Sequence, residues 1–154
     1  MVHHNKPRKP RKPSTVTVIE NKLLDSQAWK TLNASAINLY IIFLRMRCME
    51  DFGKKGQHDW VCTNGRELIL PYKTAQQKYG ITERRFTLAI DMLIGVGLLD
   101  IVIHGGGTIG KVTIYGLSNR WEKYGTDSFE HHERIKSKVG KCIYCGINRI
   151  PTSL

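Results

Sequence analysis

The chain has 154 residues, of which 41% are hydrophobic and 24% charged, a composition typical of one globular domain with short tails and unlike that of a disordered chain. Its 24 lysine and arginine residues against 13 acidic ones give a net charge of +11, which favours nucleic acid, or else an acidic membrane surface, as partner. No apolar run approaches the ~18 residues of a membrane span, and no apolar stretch typical of a secretion signal follows the first charges. We therefore expect a cytoplasmic protein that is neither secreted nor inserted in a membrane.

Residues 1–14 contain five lysine or arginine residues, three prolines and no acid, which predicts a flexible basic arm. Removing those five charges from the net +11 leaves +6 on the rest of the chain. Such an arm keeps a protein soluble, acts as a localisation signal, or follows a DNA backbone or minor groove beside a docked domain. Its candidate DNA-binding residues are Lys6, Arg8, Lys9, Arg11 and Lys12.

The first elements after the arm are a strand and a short helix. Residues 15–20 alternate with β-branched side chains and predict an edge strand. Residues 23–32 predict a short helix, with Asp25 or Ser26 placed to cap it. Trp29 in this helix is interpreted as an anchor in the core rather than as a platform for a ligand.

A longer helix follows, from Asn33 or Ser35 through Met49. It is apolar on nearly all sides, so we expect it to lie at the centre of the domain. Residues 50–66 then break the helical pattern with glycines and clustered polar residues, which predicts a long, partly exposed connection containing one short strand at 60–62.

Residues 68–82 carry the signals of a small strand, a short helix and a turn. The apolar run 68–70 predicts the strand, and Pro71 suits the first turn of a helix over 72–79. Gly80 then supplies the left-handed conformation that ends this helix, and Ile81 is expected to pack against the core. Thr82 is expected to accept a hydrogen bond from the first turn of the next helix.

A second helix from residue 83 completes the pattern of a helix-turn-helix. The helix places Phe86, Ala89, Ile90 and Leu93 on one apolar face. The residues expected to face outward are Glu83, Arg84, Thr87, Leu88 and Asp91, with Arg85 near the boundary. Because a recognition helix presents its N-terminal residues to base edges, we expect this start to read the DNA. Glu83 either accepts from a cytosine amino group or complements the helix dipole. The predicted base readers are Arg84, Arg85 and Thr87, and Lys73, Thr74 and Thr82 are further candidate DNA-binding residues.

Residues 98–103 and 111–117 predict two strands joined by a glycine-rich turn at 104–110. A hairpin of this kind after a helix-turn-helix is typical of a wing, which contacts the DNA backbone or minor groove. A phosphate-binding loop is the poorer interpretation, since such a loop leads from a strand into a helix, and Lys111 is followed by strand residues. The predicted wing contacts are His104, Thr108 and Lys111.

Residues 15–120, about two-thirds of the chain, resemble the winged-helix domains of bacterial, phage and plasmid replication initiators and replisome organisers. The resemblance rests on an N-terminal strand and a Leu-Leu, Ala-Trp, Leu-Tyr layout at residues 23–24, 28–29 and 39–40 ahead of the helix-turn-helix and wing. It implies an α+β winged helix-turn-helix fold, mostly helical with a small antiparallel sheet. The resemblance also implies binding of duplex DNA, in replication initiation or in transcription regulation. It implies DNA binding more firmly than it implies either of these two roles.

Residues 121–154 are predicted to be a C-terminal tail in which Trp121 and Tyr124 pack back onto the domain. Cys142 and Cys145 form a C-x-x-C pair followed by glycine, half of a zinc-knuckle signature, so zinc is the one candidate cofactor. Two free thiols and a redox pair are the alternatives, whereas a disulfide framework is a poor explanation in a reducing compartment. The further zinc ligands would be His131 or His132, Cys48 and Cys62, or groups of a second molecule.

Three classes of function remain to be weighed. Catalysis is disfavoured because the chain has no D-x-D, H-E-x-x-H or G-x-S-x-G pattern and its carboxylates are scattered. A winged helix that contacts protein or RNA instead of duplex DNA is the alternative, since the fold alone does not dictate the ligand. The sequence therefore predicts a DNA-binding protein rather than an enzyme, with a second copy of the chain or replication and transcription proteins as candidate partners.

Overall fold

The structure is a computed structural model that describes residues 16–54, 56–105 and 112–134. This part of the chain is α+β, with five α-helices and two antiparallel two-stranded sheets. None of its helices is long and apolar enough to cross a membrane. In chain order the elements are α1 (Asn21–Leu24), α2 (Gln27–Thr31), α3 (Ala34–Arg45), β1 (Met49–Asp51), β2 (Trp60–Cys62), α4 (Tyr72–Tyr79), α5 (Glu83–Gly95), β3 (Leu99–Ile103), β4 (Ile114–Leu117) and a 3-10 helix (Arg120–Lys123).

The core lies between α3 and α5, the helix pair with the most extensive contact. Leu39 and Phe43 of α3 and Leu93 of α5 are fully buried there. The prediction that the long helix is central is confirmed, and the Asn33 side chain caps it by accepting from the Ala36 amide at 2.8 Å. Its predicted end at Met49 is wrong, because the helix ends at Arg45 and Met49 already belongs to β1.

The region before α3 differs from the prediction in two ways. Residues 16–20 form no strand, and the Val18 carbonyl accepts from the Arg47 guanidinium at 2.8 Å instead of from a neighbouring strand. The single helix expected over 23–32 is two short helices, α1 and α2. Ser26 divides them, since its hydroxyl donates to the Leu23 carbonyl at 2.6 Å and accepts from the Trp29 amide at 3.1 Å.

The connection 50–66 contains a hairpin of which only one strand was predicted. Trp60–Cys62 is a strand as expected, but it pairs with Met49–Asp51, a segment assigned to the end of the helix and the start of the connection. The Asp51 carboxylate accepts from the Gly53 and Asp59 amides and contacts His58 Nδ1 at 2.7 Å. The His58 contact, with the two amides, lowers the pKa of Asp51 to about 2.

The β3 and β4 strands form the predicted antiparallel ribbon, with Leu99 opposite Leu117 and Ile103 opposite Ile114. The second strand begins at Ile114 rather than at 111. The predicted strand at 68–70 is reduced to one bridge, in which Leu68 and Tyr115 exchange backbone hydrogen bonds of 3.0 and 2.8 Å. This bridge ties the segment before α4 to β4.

The segment after β4 lies against the domain, and Trp121 is buried there as expected. Arg120 is its main anchor. Its guanidinium donates to the Asp100 carboxylate at 2.6 and 3.1 Å, to the Ile94 and Leu99 carbonyls, and to the Glu130 carbonyl at 2.7 Å. Gly97 permits the close approach, since it has a φ of +83° and a Cβ there would lie 2.8 Å from the Arg120 Cβ.

Candidate nucleic-acid interface

The turn between α4 and α5 has the local geometry that the sequence predicted. Gly80 takes a left-handed φ of +66°, and its amide donates to the Gln76 carbonyl at 2.9 Å. Ile81 is buried, so the turn is held to the core. The expectation for Thr82 is wrong: the residue precedes α5, but its hydroxyl makes no capping hydrogen bond. The backbone carbonyl of Thr82 accepts a hydrogen bond from the Phe86 amide at 2.8 Å, so the helix begins without a side-chain cap.

Helix α5 has one buried and one exposed face. Phe86, Ala89, Ile90 and Leu93 are buried, as the periodicity predicted. On the opposite face the first turn carries Glu83, Arg84 and Arg85, all exposed, while Thr87 is half-buried. Neither arginine side chain has a hydrogen-bond or ion-pair partner within 16–54, 56–105 and 112–134. The start of α5 therefore offers two guanidinium groups to solvent.

The acidic residue further along α5 is neutralised within the domain. Asp91 accepts from Arg134 Nε at 2.7 Å and from its Nη2 at 3.3 Å. The hydrogen bond to Asp91 raises the pKa of the Arg134 guanidinium. The exposed face of α5 is therefore more basic than the sequence of the helix alone indicates.

The candidate residues on α4 lie on a second exposed surface. Lys73 and Thr74 are both exposed, in the first turn of that helix. Lys78, in its last turn, lies over the ring of Tyr79 with the ammonium 5.5 Å from the ring centre. The first turn of α4 thus adds a basic and a hydroxyl side chain that are free to meet a phosphate backbone.

The β3–β4 ribbon is described on both sides of its connecting turn. His104 is half-buried at the end of β3 and lines a surface depression together with Arg66, Asp100 and His132. Other candidate contacts fall outside the described residues: Thr108, Lys111, Lys6, Arg8, Lys9, Arg11 and Lys12.

The candidate metal ligands are divided in the same way. Cys142 and Cys145 lie outside the described residues. His132 Nδ1 lies 3.0 Å from the Asp100 carboxylate, and the His131 ring packs edge-on against Phe129 at 4.7 Å. Residues 16–54, 56–105 and 112–134 bring together no group of three or more His, Cys, Asp or Glu side chains suited to a metal ion.

The cluster of polar side chains around Asp100 was not predicted from the sequence. Partial burial raises the pKa of Asp100, but hydrogen bonds from Arg120, Ser118 and His132 outweigh it and hold that pKa below its usual value. The partners are 18 to 32 positions away along the chain, so no local spacing indicated them. Arg120, three residues after the predicted strand 111–117, gave no signal of its own.

No protein-family model, curated protein or solved structure matches the chain.

Proposed function

We propose that the chain is a double-stranded DNA-binding protein whose residues 15–120 form a winged helix-turn-helix domain. In this proposal α5 is the recognition helix, docked in a major groove, and the β3–β4 ribbon is the wing that contacts adjacent backbone. The observation that carries it is the exposed start of α5, where Arg84 and Arg85 point away from a helix face that the core buries.

Arginine at this place has a specific chemical use. Its planar guanidinium makes two hydrogen bonds to the O6 and N7 of guanine in the major groove, and each such pair discriminates by about 1–3 kcal/mol. The two side chains have no internal partner in the described part of the domain, so binding DNA would break no ion pair there. Arg84 and Arg85 are therefore the proposed base readers, with Thr87 beside them on the second turn.

Charge outside α5 supports the same partner. The net +6 that remains without the arm attracts a polyanion, and Lys73 in the first turn of α4 is placed for a phosphate. The basic arm would add affinity that does not depend on sequence. By its resemblance to initiator and organiser domains, we propose a role in replication initiation or transcription regulation in a bacterium, phage or plasmid.

Salt dependence of binding tests this proposal. The full chain should bind a duplex of about 30 base pairs of random sequence, with an affinity that falls steeply from about 50 to 200 mM salt. Arg84→Ala and Arg85→Ala should relax the preference among sequences, because they remove base contacts. Lys123→Ala, a change of an exposed basic residue in the 3-10 helix, is the matched control. Absence of salt-sensitive duplex binding would refute the proposal and favour contact with protein or RNA.

A further inference from the structure

Leu88 is an exposed apolar residue in the middle of the basic face of α5. The residue is 55% exposed, whereas Phe86, Ala89 and Ile90 around it along the chain are buried. In α4 and α5, both fully described, it is the one large hydrophobic residue that is exposed. A single exposed leucine is ordinary on a protein surface, so what distinguishes Leu88 is its position beside Arg84 and Arg85.

The neighbours of Leu88 one turn earlier on the helix surface are the two proposed base readers. Arg84 precedes it by four positions and Arg85 by three, the spacings at which helical side chains lie side by side. Four residues of α-helix rise about 6 Å. That rise is less than two base-pair steps of about 3.4 Å, so one groove segment accommodates all three side chains.

A single exposed leucine among arginines suits DNA better than a protein surface. A stable protein interface buries at least about 1,000 Å² in total around an apolar centre, and arginine, although enriched in such interfaces, does not replace that centre. Leu88 has no second exposed large hydrophobic residue beside it on α4 or α5, and its neighbours within one or two turns are Arg84, Arg85 and the Asp91–Arg134 ion pair. The apolar feature that a major groove offers is the 5-methyl group of thymine.

We propose that Leu88 is a specificity-determining residue that contacts the 5-methyl group of a thymine, within about two base pairs of the base that Arg84 contacts. This inference rests on the proposed function and adds a rule about sequence to it. The protein then prefers sites that combine a guanine, bound by arginine, with a nearby thymine bound by Leu88.

Replacing thymine by deoxyuridine tests the contact, because the two bases differ only by that methyl group. The preferred duplex is first selected from a random library with the full chain, and each thymine in it is then replaced in turn. One replacement should weaken binding of the unaltered protein by about fourfold, the factor expected for burying one methyl-sized group. With Leu88→Ala the same replacement should have no effect, so the two changes are coupled. Leu24→Ala, which truncates a 39% exposed leucine on α1, should leave the effect intact.

The outcomes separate this inference from the proposed function. If duplex binding is salt-dependent and Arg84→Ala weakens it, but no thymine replacement is coupled to Leu88, the inference is wrong and the function stands. A library that yields no preferred sequence also overturns the inference. If no duplex binds, both the inference about Leu88 and the proposed function are wrong. A Leu88→Ala variant that changes the oligomeric state in sedimentation, with no change in thymine discrimination, would assign Leu88 to contact between copies.

Discussion

Replacing Arg120 by alanine should be among the most destabilising changes outside the apolar core. The Arg120 side chain is only 12% exposed and that of Asp100 26% exposed. The variant loses every hydrogen bond from the guanidinium and leaves the Asp100 carboxylate half-buried beside His132 without its cation. Removing one member of a largely buried ion pair of this kind costs about 3 kcal/mol of unfolding free energy.

Urea unfolding followed by circular dichroism measures this loss. With a slope of about 2 kcal/mol per M, the midpoint should fall by about 1.5 M. Arg120→Lys should recover only a minor part, because an ammonium cannot reach Asp100, Ile94 and Glu130 at once. The control is Lys22→Ala, which breaks an ion pair whose side chains are 66% and 45% exposed and should leave the midpoint nearly unchanged. Equal midpoints for Arg120→Ala and Lys22→Ala would refute the assignment of Arg120 as the anchor of 120–134.

Three further predictions concern the turns, the acid range and the arm. Gly80 and Gly97 both have a positive φ, but only Gly97 of the two also lacks room for a Cβ. Gly97→Ala should therefore lower the unfolding free energy by several times the ~1 kcal/mol expected for Gly80→Ala, and thermal unfolding of the two variants measures the difference. Folding lowers the pKa of Asp100. The ionised carboxylate therefore adds fully to the unfolding free energy above the pKa of the unfolded chain, about 3.9, and this stabilisation is lost as the pH falls below that value. The unfolding free energy should therefore fall less between about pH 6 and pH 3 in Asp100→Asn than in the unaltered protein, and an equal fall would contradict this. Neutralising the five basic residues of 1–14 should weaken binding to all duplexes alike. It should also reduce the slope of the logarithm of the binding constant against the logarithm of the salt concentration by up to about 4.5, whereas an unchanged slope would make the arm a solubilising tail.

Local signals predicted the α4–α5 region well. Gly80 ends one helix in the left-handed conformation, and the 3- and 4-residue spacing of Phe86, Ala89, Ile90 and Leu93 matches the face that is buried. These signals depend on neighbours within a few positions. The same periodicity correctly predicted that Arg84 faces outward, whereas Arg85, expected near the boundary of the apolar face, is also exposed. The role of both arginines remains a prediction.

Features that depend on distant partners were missed. The alternation at 16–20 has strand propensity, but a strand needs a partner, and the Val18 carbonyl there pairs with a side chain instead. The β1 strand was not predicted, because the apolar pattern of the preceding helix continues through Met49 and the helix was therefore predicted to end there. The Arg120 and Asp100 pair forms only once β3 and the 3-10 helix are packed together, which no spacing within either segment reveals.

Amide chemical shifts of the full-length 15N-labelled chain test most directly whether duplex DNA binds at the start of α5. On titration with the duplex selected from the random library at low salt, the largest shifts should fall at residues 82–88. Smaller shifts should appear on the β3–β4 ribbon and on the first turn of α4, and all should reverse when salt is raised. Shifts confined to the 49–62 hairpin or to 120–134, with residues 82–88 unmoved, would contradict the claim.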